Sequence, residues 1–162
     1  MAKNKHQRTV QENNKELYVV EVIDWEMSFG HRIYDENMKQ CPPVDFFESQ
    51  ILTLLGKITR PTLKNVSQAK IDIIGSPILE DQVKNDALKY LLQEIGYINF
   101  IEADNTLRIT CSVPFRSIPY LSVAAAAGKI KRASIWGTKL KWGQGWMSRI
   151  ALETGSTSKG QR

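Results

Sequence analysis

The segment SIWGTKLKWGQGWMSR, residues 134–149, concentrates side chains that could grip an anion or a polymer. It holds three tryptophans, two lysines and one arginine, and it has no acidic residue. Indole rings stack on bases and ammonium groups neutralise phosphates, so this composition suits a nucleic acid when rings and cations share one accessible face. The candidate binding residues of this basic region are Lys129, Lys131, Arg132, Trp136, Lys139, Lys141, Trp142, Trp146 and Arg149.

The spacing within this segment favours a structural role for its tryptophans. Two lysines, Lys139 and Lys141, alternate with two apolar side chains, which is the pattern of a half-buried strand. A turn at the following GQG would bring Trp142 and Trp146 together on one face as an aromatic pair. We therefore expect indoles in the core and ammonium groups in water. The glycines leave an alternative open, because each can bulge the strand and turn an indole outward. A third option is that the tryptophans form a flat surface that binds sugar, although no cluster of amides and carboxylates lies next to them in the sequence.

Carboxylates in the first predicted strand form a second set of candidates. Asp24 and Glu26 are two residues apart, so on a strand they project from one face about 7 Å apart. Two carboxylates at that separation can act as acid and base on a glycosidic bond, but a solvated strand face explains the same spacing. Glu21 lies in a nearly continuous apolar run. Because a buried carboxylate is costly unless it is paired, we expect an Arg or Lys beside it.

Other catalytic, metal and cofactor sites find little support. The two histidines, His6 and His31, and the two cysteines, Cys41 and Cys111, lack the spacing of a metal site. The sequence contains no phosphate-binding glycine loop and no nucleophile elbow. We predict no catalytic residue, no metal and no cofactor, and we interpret both cysteines as free thiols.

The net charge of +5 is unevenly distributed along the chain. Residues 16–104 carry a net charge of −7, whereas residues 105–152 carry +8 without a single acid. A basic region of this kind indicates a nucleic acid or an acidic protein as partner. The alternative is that its strands lie beside the acidic strands, so that the charges pair across the sheet at roughly 0.2–1 kcal/mol per pair.

Hydrophobic periodicity predicts a β-rich chain with two helices. Alternation in one of the predicted strands places Ala69, Ile71 and Ile73 inward. Helical spacing with a proline-led start predicts the longer helix, and a run of four alanines before a glycine predicts the shorter one. We predict an α+β, β-rich fold of seven or eight mostly antiparallel strands, two-layer or sandwich-like, with one long helix near 77–95 and one short helix near 118–127.

Length and local composition predict a single domain between two tails. A chain of 162 residues buries enough surface to fold as one unit. Residues 1–15 and 154–162 are polar and aperiodic, which is typical of disordered tails, so the globular domain is predicted at 16–153. No run approaches the ~18 apolar residues of a membrane span, and the N-terminus lacks the apolar centre of a secretory signal. We expect a cytoplasmic protein with no membrane partner.

Three stretches resemble the recurring blocks of an uncharacterised family of bacterial cytosolic proteins. They are VEVIDWEMSFGHRI, LLGKITRPTLKNVSQAKIDIIGSP and SVPFRSIPYLSVAAAAGKIKRASIWGTKLKWGQGWMSRIALE. The shared pattern runs from a tryptophan-containing strand, through a strand that ends at a proline, to a proline-led helix and a final basic hairpin. The resemblance implies a bacterial protein with one domain, and it carries no activity.

Three functions remain open from the sequence. The first, and our prediction, is a non-enzymatic interaction domain for protein–protein contact or self-association, in which acidic and basic regions match electrostatically. The second is a nucleic-acid-binding protein that uses the basic, tryptophan-containing C-terminal hairpin. The third is an enzyme that uses the strand carboxylates Asp24, Glu26 or Glu21 in a concave pocket.

Overall fold

A computed structural model describes residues 14–32, 47–77, 79 and 95–154. Within these ranges seven strands form a closed β-barrel, and one helix packs against it. The strands are Lys15–Arg32 (β1), Phe47–Arg60 (β2), Gln68–Ser76 (β3), Gly96–Ile101 (β4), Thr106–Pro114 (β5), Ile130–Thr138 (β6) and Gln144–Thr154 (β7), and the helix is Ser117–Ala126 (α1).

The barrel closes because β1 pairs on both of its sides. The strand order is β1-β2-β3-β5-β4-β7-β6, and the first half of β1, from Lys15 to Glu21, pairs with β6. All neighbours run antiparallel except β3 and β5, which are parallel. From Val22 onward β1 pairs with β2, and no other strand of the described ranges pairs with that half.

The predicted two-layer or sandwich-like α+β arrangement is wrong. Alternation indicates which face of a strand is apolar, but it does not indicate whether the outermost strands of a sheet find each other. Here β1 pairs with β6 from Lys15 to Glu21, and over that length the pairing closes the sheet where a two-layer fold would leave two edges. The fold is therefore β-rich, with α1 the only helix among the named elements of the described part.

The two predicted helices have different outcomes. α1 occupies the place of the short helix predicted near 118–127. The long helix predicted near 77–95 falls on residues that mostly lie outside the described ranges. Pro77 and Leu79 are helical there, and the Leu79 N–H donates to Ser76 Oγ at 3.2 Å. The predicted tails also lie outside the described residues, apart from Asn14 and Lys15 at the start of β1 and Thr154 at the end of β7.

The interior of the barrel is almost entirely aliphatic. Ala69, Ile71 and Ile73 are buried, which confirms that they point inward. Tyr18 is the one aromatic side chain among the buried core residues of the described chain, and all four tryptophans lie outside that core. α1 places Ile118 and Ala125 against the strands. The tryptophans must therefore be accounted for on the outer surface.

Cys111 is a free thiol inside this core. Burial, followed by the negative charge of Asp72, raises the pKa of the Cys111 thiol to about 12. Since the thiolate is the reactive form, this cysteine is chemically inert in the folded protein. The second cysteine, Cys41, lies outside the described residues. None of the helices in the described ranges has the length and apolarity needed to cross a bilayer.

Candidate functional site

The β6–β7 hairpin ends in a two-residue turn made of Trp142 and Gly143. Lys141 and Gln144 flank it and exchange both backbone hydrogen bonds, at 2.8 and 3.0 Å. Trp142 has a φ of 57° and Gly143 a φ of 77°, the positive angles of a type I′ turn. Such turns favour Asn-Gly, and a bulky residue in the left-handed region is strained. An indole at this position calls for an explanation beyond folding.

Backbone hydrogen bonds hold this turn against its neighbours. The Phe100 N–H on β4 donates to the Gly143 carbonyl at 2.7 Å. On the other side, the Lys139 N–H donates to the Asn14 carbonyl at 2.9 Å. The turn is therefore fixed to β4 and to the start of β1, and the Trp142 ring projects from a rigid base.

Thr138 links this surface to the barrel interior. The Tyr18 hydroxyl donates to the Thr138 carbonyl at 2.8 Å, and the Trp146 N–H donates to Thr138 Oγ1 at 2.9 Å. Burial, followed by the charge of Glu16, raises the pKa of Tyr18 to about 12. The phenol therefore stays protonated and remains a donor at physiological pH.

An open trough of about 520 Å³ lies beside the turn. Trp142 is 92% exposed, Trp146 is 56% exposed and Tyr97 is 43% exposed. These three rings share the trough with two exposed lysines, and none of the described residues that line it is acidic. The described residues that line it are Asn14, Tyr97, Asn99, Thr138, Lys139, Lys141, Trp142, Gln144, Gly145 and Trp146.

The prediction that the indoles point into the core is wrong for Trp142 and Trp146. The hairpin turns at residues 142–143 instead of at the GQG, so Trp142 leaves the strand altogether. Along β7 the inward positions are then Gly145 and Met147, which are both buried, and Trp146 points outward between them. A shift of one residue in a hairpin exchanges the two faces of a strand. Rings and ammonium groups therefore meet on one side.

Tyr97 belongs to the trough, and the sequence analysis missed it. Tyr97 on β4 lies directly opposite Trp146 on β7. Opposed residues of an antiparallel pair have Cβ atoms about 4.5–5.5 Å apart, so the two rings are neighbours. Tyr97 is exposed and its neighbour Ile98 is buried, an alternation that indicates which face of β4 the ring lies on. The sequence analysis could not place Tyr97 beside Trp146, because no local pattern predicts that β4 pairs with β7.

Two further predicted residues, Trp136 and Arg149, form a separate contact next to the trough. The Arg149 guanidinium carbon lies 4.6 Å from the centroid of the Trp136 ring, a cation–π arrangement. The two residues are opposite each other in register on β6 and β7. Trp136 precedes the trough residue Thr138 by two positions. The pair therefore adjoins the trough without lining it.

The remaining predicted cations lie at the far end of β6. Lys129 and Lys131 flank its first residue, and Arg132 pairs with Glu153 at 3.5 Å. At about 3.3 Å per residue, the length of β6 separates them from the trough. Arg132 thus has a partner across the sheet, but this partner belongs to β7 and not to the acidic segment 16–104 with which the basic region was expected to pair. Lys139, in contrast, belongs to no ion pair found within the described ranges.

The strand carboxylates do not converge on one site. Asp24, Glu26 and Glu21 are all exposed. The expected burial of Glu21 is wrong. The apolar residues around it occupy the inward positions of β1 and also outward positions that are only partly buried, so the apolar run does not bury both faces of the strand. Its register neighbours are Lys57 and Arg132, so basic residues do flank it. Asp24 lines a second groove in which Glu26 takes no part.

The described residues also contain no group of three or more His, Cys, Asp or Glu side chains placed to hold a metal ion. Comparison of the chain with protein-family models, with curated proteins and with solved structures finds no match. The resemblance to a bacterial family thus gains no support, and the geometry of the trough is the basis for any functional assignment.

The strain at Trp142 predicts a stability gain on its removal. Trp142→Asn is expected to stabilise the fold by about 1 kcal/mol, because Asn tolerates the left-handed region and the exposed ring contributes little packing. Urea unfolding measures the change. Trp146→Asn is the matched control: it removes an exposed indole from ordinary strand backbone, so no gain is expected. Equal effects of the two substitutions would contradict the assignment of strain to the turn.

Proposed function

We propose that this protein binds single-stranded nucleic acid in the trough beside the β6–β7 turn. One observation carries the proposal: three exposed aromatic rings and two exposed ammonium groups share one open face, and no acid stands among the described residues that line it. Proteins that bind single strands combine aromatic platforms for the bases with cations for the phosphates. Tyr97, Trp142 and Trp146 supply the platforms, and Lys139 and Lys141 supply the charges.

The exposed rings favour a single strand over a duplex. In a duplex the faces of the bases are already stacked on each other, whereas unpaired bases can stack on protein rings. The side chains of Asn14, Asn99 and Gln144 in the trough offer amide donors and acceptors to base edges. A neutral oligosaccharide would use the same rings and amides, but it would leave both lysines without a role.

Removal of the Trp142 ring at the tip of the turn is expected to cause a large loss of affinity for single-stranded nucleic acid. Base–aromatic stacking contributes about 1–3 kcal/mol per ring, so Trp142→Ala is expected to weaken binding of an oligothymidylate by about 5- to 140-fold. Fluorescence anisotropy of a labelled oligonucleotide at low salt measures it.

Trp25→Ala is the matched control for that substitution. It removes an indole from β1, outside the trough, and is expected to leave the affinity unchanged. A neutral oligosaccharide and a base-free polyanion are tested in parallel. If wild-type protein shows no change in tryptophan fluorescence or anisotropy with single strands, or binds the base-free polyanion as tightly, the proposal is wrong.

The lysines predict the salt dependence of binding. Each phosphate neutralised on a single strand contributes about −0.7 to the slope of log affinity against log salt. Lys139→Gln is therefore expected to make the slope less steep by about 0.7 and to weaken binding at low salt. Lys129→Gln removes the same charge at the opposite end of β6 and serves as control. Identical slopes for both variants would show that charge in the trough is not used.

A second candidate function is the protein association that the sequence analysis predicted, although along the outer half of β1 and not through matched acidic and basic regions. Past Glu21 this strand has a free edge within the described ranges, and Ile23 and Phe29 on it are 74% and 63% exposed. Free edges with apolar side chains accept a further strand. Light scattering over a range of protein concentrations should show an oligomer that Phe29→Lys dissociates. A monomer at every concentration argues against self-association.

A further inference from the structure

A second groove, of about 700 Å³, lies on the outer face of β1, β2, β3 and β5. Lys57, Lys70 and Arg108 line it, and Leu55 and Ile23 give it an apolar floor. This combination of cations over exposed apolar surface is similar in kind to that of the trough. The two cavities are on the same outer surface of the barrel.

Strand register connects this groove to the trough through one row of side chains. Asn99 on β4 lies opposite Gln144 on β7 and opposite Arg108 on β5. Arg108 in turn lies opposite Lys70 on β3. Gln144 and Asn99 line the trough, whereas Arg108 and Lys70 line the groove. The cavities are therefore one strand spacing apart, and the row spans about 14 Å at about 4.8 Å per strand.

The burial pattern confirms that this row faces outward. Its neighbours along the strands, such as Ile98, Leu107 and Ile71, are fully buried inside the barrel. Because side chains alternate along each strand, the row must lie on the opposite face. We call these four residues (Gln144, Asn99, Arg108 and Lys70) the connecting row.

We propose that a single strand held in the trough continues across the connecting row into the second groove. Lys70 and Arg108 then contact its phosphates, and the apolar floor of the groove accepts a further base. The inference rests on the proposed function and extends it, since it assigns a longer binding site with a defined direction across the strands. A polyanion carries charges at regular intervals, so it can contact the lysines of the trough and the two cations of the groove at the same time.

Two acids line the same groove, and their placement agrees with this path. Asp104 pairs with Arg108 at 3.4 Å, but the side chains are 50% and 45% exposed. Exposed pairs of this kind contribute little, so the guanidinium can turn to a phosphate. Asp24 lies opposite Leu55, whose other neighbour is Lys70. It stands beyond the last cation of the row and marks where the basic path ends.

The test compares the double variant Lys70→Gln/Arg108→Gln with wild-type protein on oligothymidylates of two lengths. The lengths are about 4 and about 16 nucleotides, the limits of the site sizes known for small barrels that bind single strands. We expect the affinity for the long oligonucleotide to fall about tenfold at low salt and its salt slope to become less steep by about 1.4. The affinity for the short oligonucleotide should not change, which also verifies that the variant is folded.

The charge-matched control is Lys129→Gln/Lys131→Gln, which removes two cations from the opposite end of β6. It is expected to bind both lengths as the wild type does. Equal affinity of the Lys70/Arg108 variant and the wild type for the long oligonucleotide, with binding of the short one intact, would overturn the extended path and leave the trough standing. Failure of wild-type protein to bind either length would overturn the proposed function as well.

Discussion

Closure of the sheet through the β1–β6 pairing is the constraint on which the rest of the structure depends. A barrel of this size has an interior just wide enough to be filled by side chains, and each strand alternates strictly between inside and outside. The inside is occupied by aliphatic residues such as Ile109, Ile135 and Met147, with Tyr18 as the buried aromatic of the described core. Once that volume is filled, indoles have no inward position, and the outer surface must carry them.

The type I′ turn of the β6–β7 hairpin causes both the backbone strain at Trp142 and the exposure of its ring. A type I′ turn matches the twist of its two strands, so the hairpin retains it although its first position holds Trp142. The hydrogen bonds from Phe100 and Gln144 fix the backbone on both sides of the tip. The backbone that carries the ring therefore needs no further ordering when a ligand stacks on it, and preorganisation of this kind lowers the cost of binding.

Local patterns predicted the strands and their buried faces, and they failed where distant pairings decide. Ala69, Ile71 and Ile73 alternate so regularly that their inward direction is legible in the sequence. The turn at Trp142 could not be predicted from the sequence, because its residues violate the usual Asn-Gly preference and the nearby GQG offers a conventional alternative. Closure, the parallel β3–β5 pair and the meeting of Tyr97 with Trp146 depend on contacts between distant segments. Propensity and periodicity contain no information on such contacts.

Charge along the chain is a poor guide to charge on this surface, because strand order differs from sequence order. Lys70 belongs to the acidic part of the sequence, whereas Arg108 belongs to the basic part. The parallel pairing of β3 with β5 places the two side by side. Conversely, Arg132 lies in the basic part but is paired with Glu153. The outer face of the barrel therefore acquires a pair of adjacent cations that come from separate parts of the sequence, and the continuity of this pair with the aromatic trough follows from topology alone.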